Sequence, residues 1–221
     1  MGVWLFRLPG VYRPQPDTWL LARAVRRVGM SRGARVLDVG TGTGALALVA
    51  AENGAGEITA IETFSPAAWS ARVNVALRRV PVRVLQVDVA SYRPDRPYDL
   101  VMANPPYVPS RSTVPSSRRA VAWDAGPDGR SLVDLLCDQA RSLLAPSGSL
   151  LMVHSAVCGV ERTLERLRAA RLKAAVVARR TVPFGPVMRS RAAELEAKGL
   201  IRPGQLAEEL VVVRADRVDG T

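Results

Sequence analysis

Short runs of apolar residues alternate along this chain with longer segments in which apolar positions recur every three or four residues. The runs predict buried β-strands, and the longer segments predict helices that bury one face. The predicted strands are 35–39, 57–61, 82–87, 98–103, 149–153, 172–178 and 210–214. The predicted helices are 17–28, 45–52, 66–79, 131–144, 160–171 and 188–198, and Asp17 or Thr18 is expected to cap the first one.

This alternation predicts an α/β fold. Short apolar strands joined by helices indicate one doubly wound domain, with a mainly parallel seven-stranded sheet and helices on both faces. Residues 181–207 interrupt the pattern and join the last two strands without a full helical crossover. We therefore expect the last strand to be antiparallel.

A glycine-rich turn, Gly40-Thr-Gly-Thr-Gly44, follows the first predicted strand and precedes a helix. Ligands bind at the carboxyl ends of strands in such sheets, and glycines let the backbone turn tightly and approach the ligand. Glu62 ends the next strand, 20 residues after Gly42, where an acid that bonds ribose hydroxyls is expected. The spacing Gly40-x-Gly42-x-x-Ala45 also fits a dinucleotide site, so the turn alone leaves the nucleotide open.

Two further acids narrow the choice of ligand. Asp38 lies in the strand just before the turn, where a carboxylate suits an ammonium group better than a pyrophosphate. Asp88 ends the third predicted strand and could accept a hydrogen bond from an exocyclic adenine amine. Three acids around one ligand favour an amino-acid-bearing nucleoside with a positive sulfonium, so we expect S-adenosyl-L-methionine as the cofactor.

The segment Asn104-Pro105-Pro106-Tyr107 follows the fourth predicted strand. Two prolines stiffen the loop and hold the Asn104 side chain and the Asn-Pro carbonyl at the strand end. Two fixed acceptors can hold both N–H groups of a nitrogen and aim its lone pair at a methyl carbon, while Tyr107 offers a flat face. Catalysis by orientation and charge stabilisation needs no metal, so these four residues are the predicted catalytic group.

On these motifs the chain resembles the class I S-adenosylmethionine-dependent methyltransferases that carry an Asn-Pro-Pro-Tyr motif. Among them it is most similar to the HemK-type and short Mtq-type protein methyltransferases, over about residues 10–215. The resemblance implies a Rossmann-like fold, an N-terminal segment and helix at 1–30, and a catalytic domain at 31–221. Within that domain, residues 108–130 and 181–207 are expected to be substrate-side insertions.

The resemblance also implies site residues. Residues 12–21 are similar to the N-terminal segment of the short Mtq-type enzymes, which puts Thr18 near the cofactor, and residues 122–130 are similar to a glycine-rich segment after the motif. Arg130, at the end of that segment, either starts the next helix or touches substrate. The implied cofactor-binding residues are Thr18, Asp38, Gly40, Thr41, Gly42, Gly44, Glu62, Asp88, Val89 and Asn104.

The family implies partners as well. HemK enzymes grip the release factor with an N-terminal helical domain, and about 30 residues precede the first strand here, so we expect that domain to be absent. Short Mtq-type enzymes of eukaryotes and archaea work with a small zinc-binding activator subunit, which makes such a subunit a possible partner.

The resemblance leaves several substrates open. A glutamine amide in a protein, such as a translation factor or a ribosome-associated protein, is the first hypothesis. An exocyclic amine of an RNA or DNA base, of the N6-adenine type, and a protein lysine are the alternatives. A cofactor-binding module without activity is the alternative of another class, but it would leave Asn104 to Tyr107 without a purpose.

Composition says little about the reaction, but it limits the kinds of site and the surroundings that we expect for this protein. Lys and Arg number 31 against 20 Asp and Glu, and the net charge of +11 is spread along the chain, which favours surroundings such as RNA or ribosomes. Cys137 and Cys158 predict neither a disulfide scaffold nor a zinc site, and the single histidine, His154, argues against histidine-based triads. With no apolar run near the ~20 residues of a membrane span and no signal peptide, we expect a cytoplasmic protein.

Overall fold

A computed structural model describes residues 4–110 and 125–218. The strands are β1 (Arg35–Val39), β2 (Glu57–Glu62), β3 (Val82–Gln86), β4 (Tyr98–Ala103), β5 (Leu144–Ser155), β6 (Lys173–Pro183) and β7 (Ala207–Asp216). The helices are α1 (Pro16–Arg27), α2 (Ala45–Glu52), α3 (Ser65–Leu77), α4 (Ser131–Leu143), α5 (Val160–Ala169) and α6 (Pro186–Ala197), with a short 3-10 turn at Ala156–Cys158.

The strands form one sheet in the order β3-β2-β1-β4-β5-β7-β6. The pairs from β3 through β5 are parallel, whereas β7 runs antiparallel to both β5 and β6. The doubly wound α/β fold and the antiparallel last strand are thereby confirmed. Because β7 is reversed, its first residues lie at the edge where the parallel strands end: Leu210 pairs with Ser155, and Glu208 pairs with Val182.

The core has two layers, one on each face of the sheet. In β4, Val101 and Ala103 join a cluster with residues of α4 and α5. Leu100 and Met102 join the opposite cluster with residues of α1 and α2. This alternation follows from the two-residue period of a strand, and burial on both faces explains why β4 has a continuous apolar run.

The predicted cap of the first helix is wrong. Helix α1 begins at Pro16, its N-cap is Gln15, and no side chain caps it. Proline is well suited to the first helical position, where its missing N–H costs no hydrogen bond. The side chains of Asp17 and Thr18 are buried instead, at 3% and 5% exposure, and they bond to residues of other elements.

Several strands are longer than the apolar pattern predicts. Strand β5 starts at Leu144, where the register to β4 shifts and residues 145–148 interrupt the pairing. Strand β6 continues through Arg179 and Arg180 to Pro183, because an edge strand pairs on one side only and its outward positions tolerate charge. Strand β7 begins three residues early at Ala207, so the excursion between the two strands is 184–206 and contains α6.

Arg130 is the N-cap residue of helix α4 and is buried, with 2% of its surface exposed. Its guanidinium pairs with Asp134 and donates to the backbone carbonyls of Cys158 and Gly159. The arginine therefore ties the start of α4 to the start of α5 and does not line the cavity described below. Residues 111–124, which include most of the expected insertion at 108–130 and the start of the 122–130 segment, lie outside the described residues.

None of the helices in the described part of the chain is long and apolar enough to cross a membrane.

Candidate functional site

A cavity of about 450 Å³ opens at the carboxyl edge of the parallel strands. One side is formed by the loop after β1, the ends of β2 and β3, and the segment after β4. The other side is formed by residues 11–18, by residues 182–183 and 185–188, and by Glu208 at the start of β7. The cavity therefore lies where open parallel sheets bind ligands.

The glycine-rich loop is held open by left-handed backbone and by Glu62. Gly40 and Gly42 have φ angles of 68° and 57°, which side-chain-bearing residues rarely adopt. Glu62 accepts the Gly42 N–H on Oε2 at 2.9 Å and the Phe64 N–H on Oε1 at 3.0 Å. Burial raises its pKa above the ordinary value. Thr63 also hydrogen-bonds to Glu62 through its N–H and its side chain. Glu62 lines the cavity, so its carboxylate can meet a ligand hydroxyl there.

Asp38 lies beneath this loop and not on the cavity wall. Its side chain is fully buried, and its Oδ2 accepts from the Thr41 hydroxyl at 2.6 Å and from the Ala47 N–H at 3.1 Å. Its Oδ1 has no hydrogen-bond partner among the described residues. Burial raises the pKa of Asp38 to about 7. The carboxyl thus organises the loop and the start of α2 from below, and its contact with a cofactor ammonium stays a prediction.

The stability of the Asp38→Asn variant, compared with that of the original protein at the same pH, is expected to increase as the pH rises from 4 to 7. A raised folded pKa means that the contribution of Asp38 to stability is complete below its unfolded pKa of 3.8 and is lost as the pH rises through about 7. The variant does not titrate there, so its unfolding free energy relative to the original protein should increase by up to about 4 kcal/mol across this window. Chemical denaturation without cofactor at several pH values measures this difference. A difference that is constant with pH would contradict it.

The end of β3 supplies the opposite wall of the cavity. Asp88 is exposed at the rim, and its Oδ1 accepts the Ala90 N–H at 2.8 Å. Val89 is buried beside it, and Phe64 and Leu132 add apolar surface to the same lining. An apolar slot with one carboxylate at its rim fits a planar base that carries an amine.

Asn104 is oriented by a short chain of hydrogen bonds that begins at Asp17. The Asn104 Nδ2 donates to the Thr18 Oγ1 at 3.2 Å, and this hydroxyl donates to the Asp17 Oδ1 at 3.1 Å. A carboxylate only accepts, so the Thr18 hydrogen points to Asp17 and its lone pair faces the Asn104 NH₂ group. The Asn104 Oδ1 is therefore directed away from Thr18, as an acceptor for another group.

The same carboxylate holds Tyr107. The Asp17 Oδ2 accepts from the Tyr107 hydroxyl at 3.0 Å and from the Tyr12 hydroxyl at 2.7 Å. Burial and the charge of Asp17 raise the pKa of both tyrosines well above their ordinary value, so both remain hydrogen-bond donors. Asp17 thus connects the first helix to both polar side chains of the Asn104–Tyr107 segment.

Glu208 is a second buried acid on this side of the cavity. The residue is 6% exposed, the Ser155 side chain hydrogen-bonds to it, and its Oε2 has no hydrogen-bond partner in the part of the chain that the structure describes. Burial raises its pKa, the Ser155 bond opposes this rise, and the charge of Asp17 adds to it.

The excursion between β6 and β7 closes the cavity beside this acid. Phe184, Met188, Leu195 and Ile201 form a hydrophobic cluster with Val108, which follows the Asn104–Tyr107 segment directly. Gly185 to Met188, at the start of α6, line the cavity. The cluster therefore fixes α6 against the loop that carries the predicted catalytic residues.

The structure brings most of the residues predicted from sequence to one cavity. Those that line it are Thr18, Gly40, Thr41, Gly42, Glu62, Asp88, Val89, Asn104, Pro105, Pro106 and Tyr107. Asp38 and Gly44 do not line it: Gly44 faces α3, where an added Cβ would lie 3.4 Å from Ala71.

Sequence reasoning missed Tyr12, Asp17 as a site residue, and Glu208. An acid in the first turn of a helix is typical of a cap, and Glu208 precedes the apolar run that predicted the last strand. Only the position of Tyr12 and Asp17 within a family-like segment offered a signal.

Comparison with known proteins agrees with this geometry. A family model described as the methyltransferase small domain matches residues 3–181. A Methanocaldococcus jannaschii protein, provisionally named as a protein N5-glutamine methyltransferase, is 29% identical over 188 residues, covering 85% of this chain and 93% of its own. A release factor glutamine methyltransferase of Deinococcus radiodurans is 37% identical over 63% of this chain. A tRNA1(Val) (adenine(37)-N6)-methyltransferase of Parabacteroides distasonis is 39% identical over 54% of it.

The chain spans only about half the length of the two bacterial relatives, 52% and 51%.

Solved structures agree on the fold. A chain of the E. cuniculi Mtq2–Trm112 complex matches with a TM-score of 0.59 at 18% identity, covering 94% of this chain and 99% of that one. The T. thermophilus 16S rRNA methyltransferase RsmC was solved with AdoMet and guanosine. It matches with a TM-score of 0.60 at 21% identity, and the match covers 96% of this chain and 46% of that one. The Rossmann-like fold is confirmed, and the chain belongs to the methyltransferase small domain family.

Proposed function

We propose that this protein is an S-adenosylmethionine-dependent N-methyltransferase that modifies the side-chain amide of a glutamine in a protein, of the release-factor type. The observation that carries the proposal is the fixed orientation of Asn104, whose Oδ1 is kept as an acceptor by Thr18 and Asp17. Relatives from Methanocaldococcus jannaschii and Deinococcus radiodurans bear the names of glutamine methyltransferases, which supports this substrate.

The residues of the cavity fit the cofactor. Glu62 offers carboxylate lone pairs to ribose hydroxyls, and Asp88 offers an acceptor to the adenine amine beside the apolar surface of Phe64. The exposed backbone of Gly40 and its neighbour Thr41 would face the amino-acid end, with Asp38 beneath them. When bound, the cofactor supplies a methyl group activated by a positively charged sulfur.

The chain's own residues would act by orientation. An amide nitrogen is a poor nucleophile because its lone pair is delocalised into the carbonyl. Asn104 can accept one amide hydrogen on Oδ1 and a second on its backbone carbonyl, which holds the nitrogen in one geometry while Tyr107 covers the planar amide. Transfer would form one N–C bond while the S–C bond to the methyl group breaks and sulfur keeps its electron pair, and the nitrogen would lose one N–H proton to solvent water. The two acceptors would favour the positive charge that develops on nitrogen.

A second candidate is methylation of an exocyclic amine in RNA. The Parabacteroides distasonis relative is named as a tRNA adenine-N6 methyltransferase, and the net charge of +11 suits an anionic partner. An adenine amine presents two N–H groups in the same plane, so the same two acceptors would hold it. A small activator subunit also stays a prediction of the sequence.

Transfer of a labelled methyl group separates these functions. The protein is incubated with labelled S-adenosylmethionine and an extract of its host cells, and portions are treated with RNase or with protease. We expect the label to survive RNase and to be lost with protease, and acid hydrolysis of the labelled band to release methylamine from a methylated glutamine. Label lost to RNase would overturn the proposal in favour of RNA, and label in lysine would overturn the glutamine assignment.

A further inference from the structure

Glu208 reaches the cavity because of strand direction. It is the second residue of β7 and pairs with Val182 near the end of β6. Since β7 is antiparallel to its neighbours, its beginning lies beside the ends of β5 and β6. Glu208 there lines the cavity together with Asp17 and Tyr107, which is the side that we assign to the substrate. The acids predicted for the cofactor, Glu62 and Asp88, lie instead at the ends of β2 and β3.

The two acids on the substrate side differ in how their hydrogen-bonding capacity is used. Asp17 accepts from two tyrosine hydroxyls and from the N–H and hydroxyl of Thr18. Glu208 bonds to Ser155, but its Oε2 is buried and has no hydrogen-bond partner among residues 4–110 and 125–218, although the residue lines the cavity. A buried carboxylate oxygen that has no hydrogen-bond donor destabilises the protein, and a ligand that supplies a donor removes this penalty.

We propose that Glu208 is a substrate-binding residue whose Oε2 accepts a hydrogen bond from an N–H donor of the polypeptide that enters the cavity. This inference rests on the proposed function, because it assumes a protein substrate. It extends that function by assigning a specificity contact outside the Asn104–Tyr107 segment. A polypeptide with no N–H donor at this point would leave the carboxylate unpaired and would bind less well.

The surroundings of Glu208 favour a donor over another acceptor. The titratable groups that face it are Asp17 from α1, Tyr12 from the N-terminal segment, Tyr107 from the loop after β4, and Cys158 from the turn after β5. Asp17 is acidic, and the other three are neutral because burial raises the pKa of each. An N–H group or a cation is therefore the complementary partner.

This role makes substrate binding depend on pH. Protonated Glu208 presents an O–H in place of an acceptor, so substrate affinity should fall as the pH is lowered through the pKa of Glu208. That pKa is raised above its ordinary value by burial. The acidic limb of the kcat/KM profile should therefore reflect this residue.

Glu208→Gln tests the inference, with Glu209→Gln as its matched control. Glu209 is the next residue of β7, so its side chain lies on the opposite face of the sheet. There its Oε2 accepts a hydrogen bond from the Arg179 Nη1 at 2.6 Å. The measurements use the full chain and the protein substrate that the labelling experiment identifies. We expect Glu208→Gln to raise KM by about 10-fold with a smaller change in kcat, and to remove the acidic limb, while the control leaves both unchanged.

Two further measurements keep the result interpretable. Calorimetry with S-adenosylmethionine should give the same affinity for both variants, which shows that the fold is intact. Glu208→Asp, which keeps the charge, should restore part of the acidic limb. An unchanged KM and acidic limb in Glu208→Gln, or a loss confined to kcat, would overturn the inference. Failure of the proposed function would appear earlier, as label in RNA with the unaltered protein.

Discussion

Asn104→Ala is expected to lower the turnover number about 1000-fold, while binding of S-adenosylmethionine persists. The alanine removes the acceptor that Thr18 and Asp17 hold in place, so the substrate nitrogen loses one of its two fixed contacts. The loss should appear mainly in kcat, because orientation matters most in the transition state. Multiple-turnover label transfer at saturating substrate measures kcat, and calorimetry measures cofactor affinity.

Asn53→Ala is the matched control for this prediction. Asn53 follows α2, and its side chain bonds only locally, to the Val49 carbonyl at 2.9 Å. It does not line the cavity, so its loss should leave turnover within about twofold. Unchanged turnover in Asn104→Ala would remove this residue from the catalytic group and with it the main support for the proposed function.

Asp17→Asn is expected to lower turnover about 100-fold, although the aspartate does not touch the substrate nitrogen. Four donors converge on its two carboxylate oxygens, and an amide would present its own NH₂ group to some of them. The Thr18 hydroxyl and the Tyr107 ring would then lose their fixed orientation. Asn104 would rotate more freely, which lowers the fraction of complexes in the reactive geometry.

A double-mutant cycle distinguishes positioning from a general loss of structure. Thr18→Val keeps the side-chain shape but breaks the link between Asp17 and Asn104, and it should lower kcat about 10-fold. If Asp17 acts through Thr18, the double variant should lose less activity than the product of the two single losses. Independent, fully multiplicative losses would contradict the positioning role. Thermal unfolding of each variant checks that the fold is retained.

Much of the fold was predictable because each strand is a local pattern. β1 and β4 are buried on both faces, so their apolar runs stand out, and the order of strands and helices leaves few topologies. The ends of elements were less predictable. β6 continues through Arg179 and Arg180 because its pairing with β7 overrides their polarity. Asp17 does not cap α1 because its carboxylate accepts from the distant Tyr107 hydroxyl.

The residues of the candidate site also fall into a group that the sequence predicts and a group that only the folded structure reveals. Glu62 ends β2, Asn104 directly follows β4, and Asp88 lies two residues beyond β3, so their common position could be read from the sequence. The contact between Asp17 and Tyr107 joins residues 90 positions apart. No local pattern reports such a pair, and the acid looks like a helix cap until the packing of α1 is known.

The sequence by itself determined a parallel α/β sheet, a glycine-rich loop, an acid at each of two strand ends and the Asn104–Tyr107 segment. All of these depend on residues near one another in the chain. Only the tertiary structure decided which side chains lie around Asn104, where we propose that the substrate nitrogen binds. Strand direction brings Glu208 to the cavity instead of the opposite edge of the sheet, and direction is a property of how strands pair, not of the residues in any one strand.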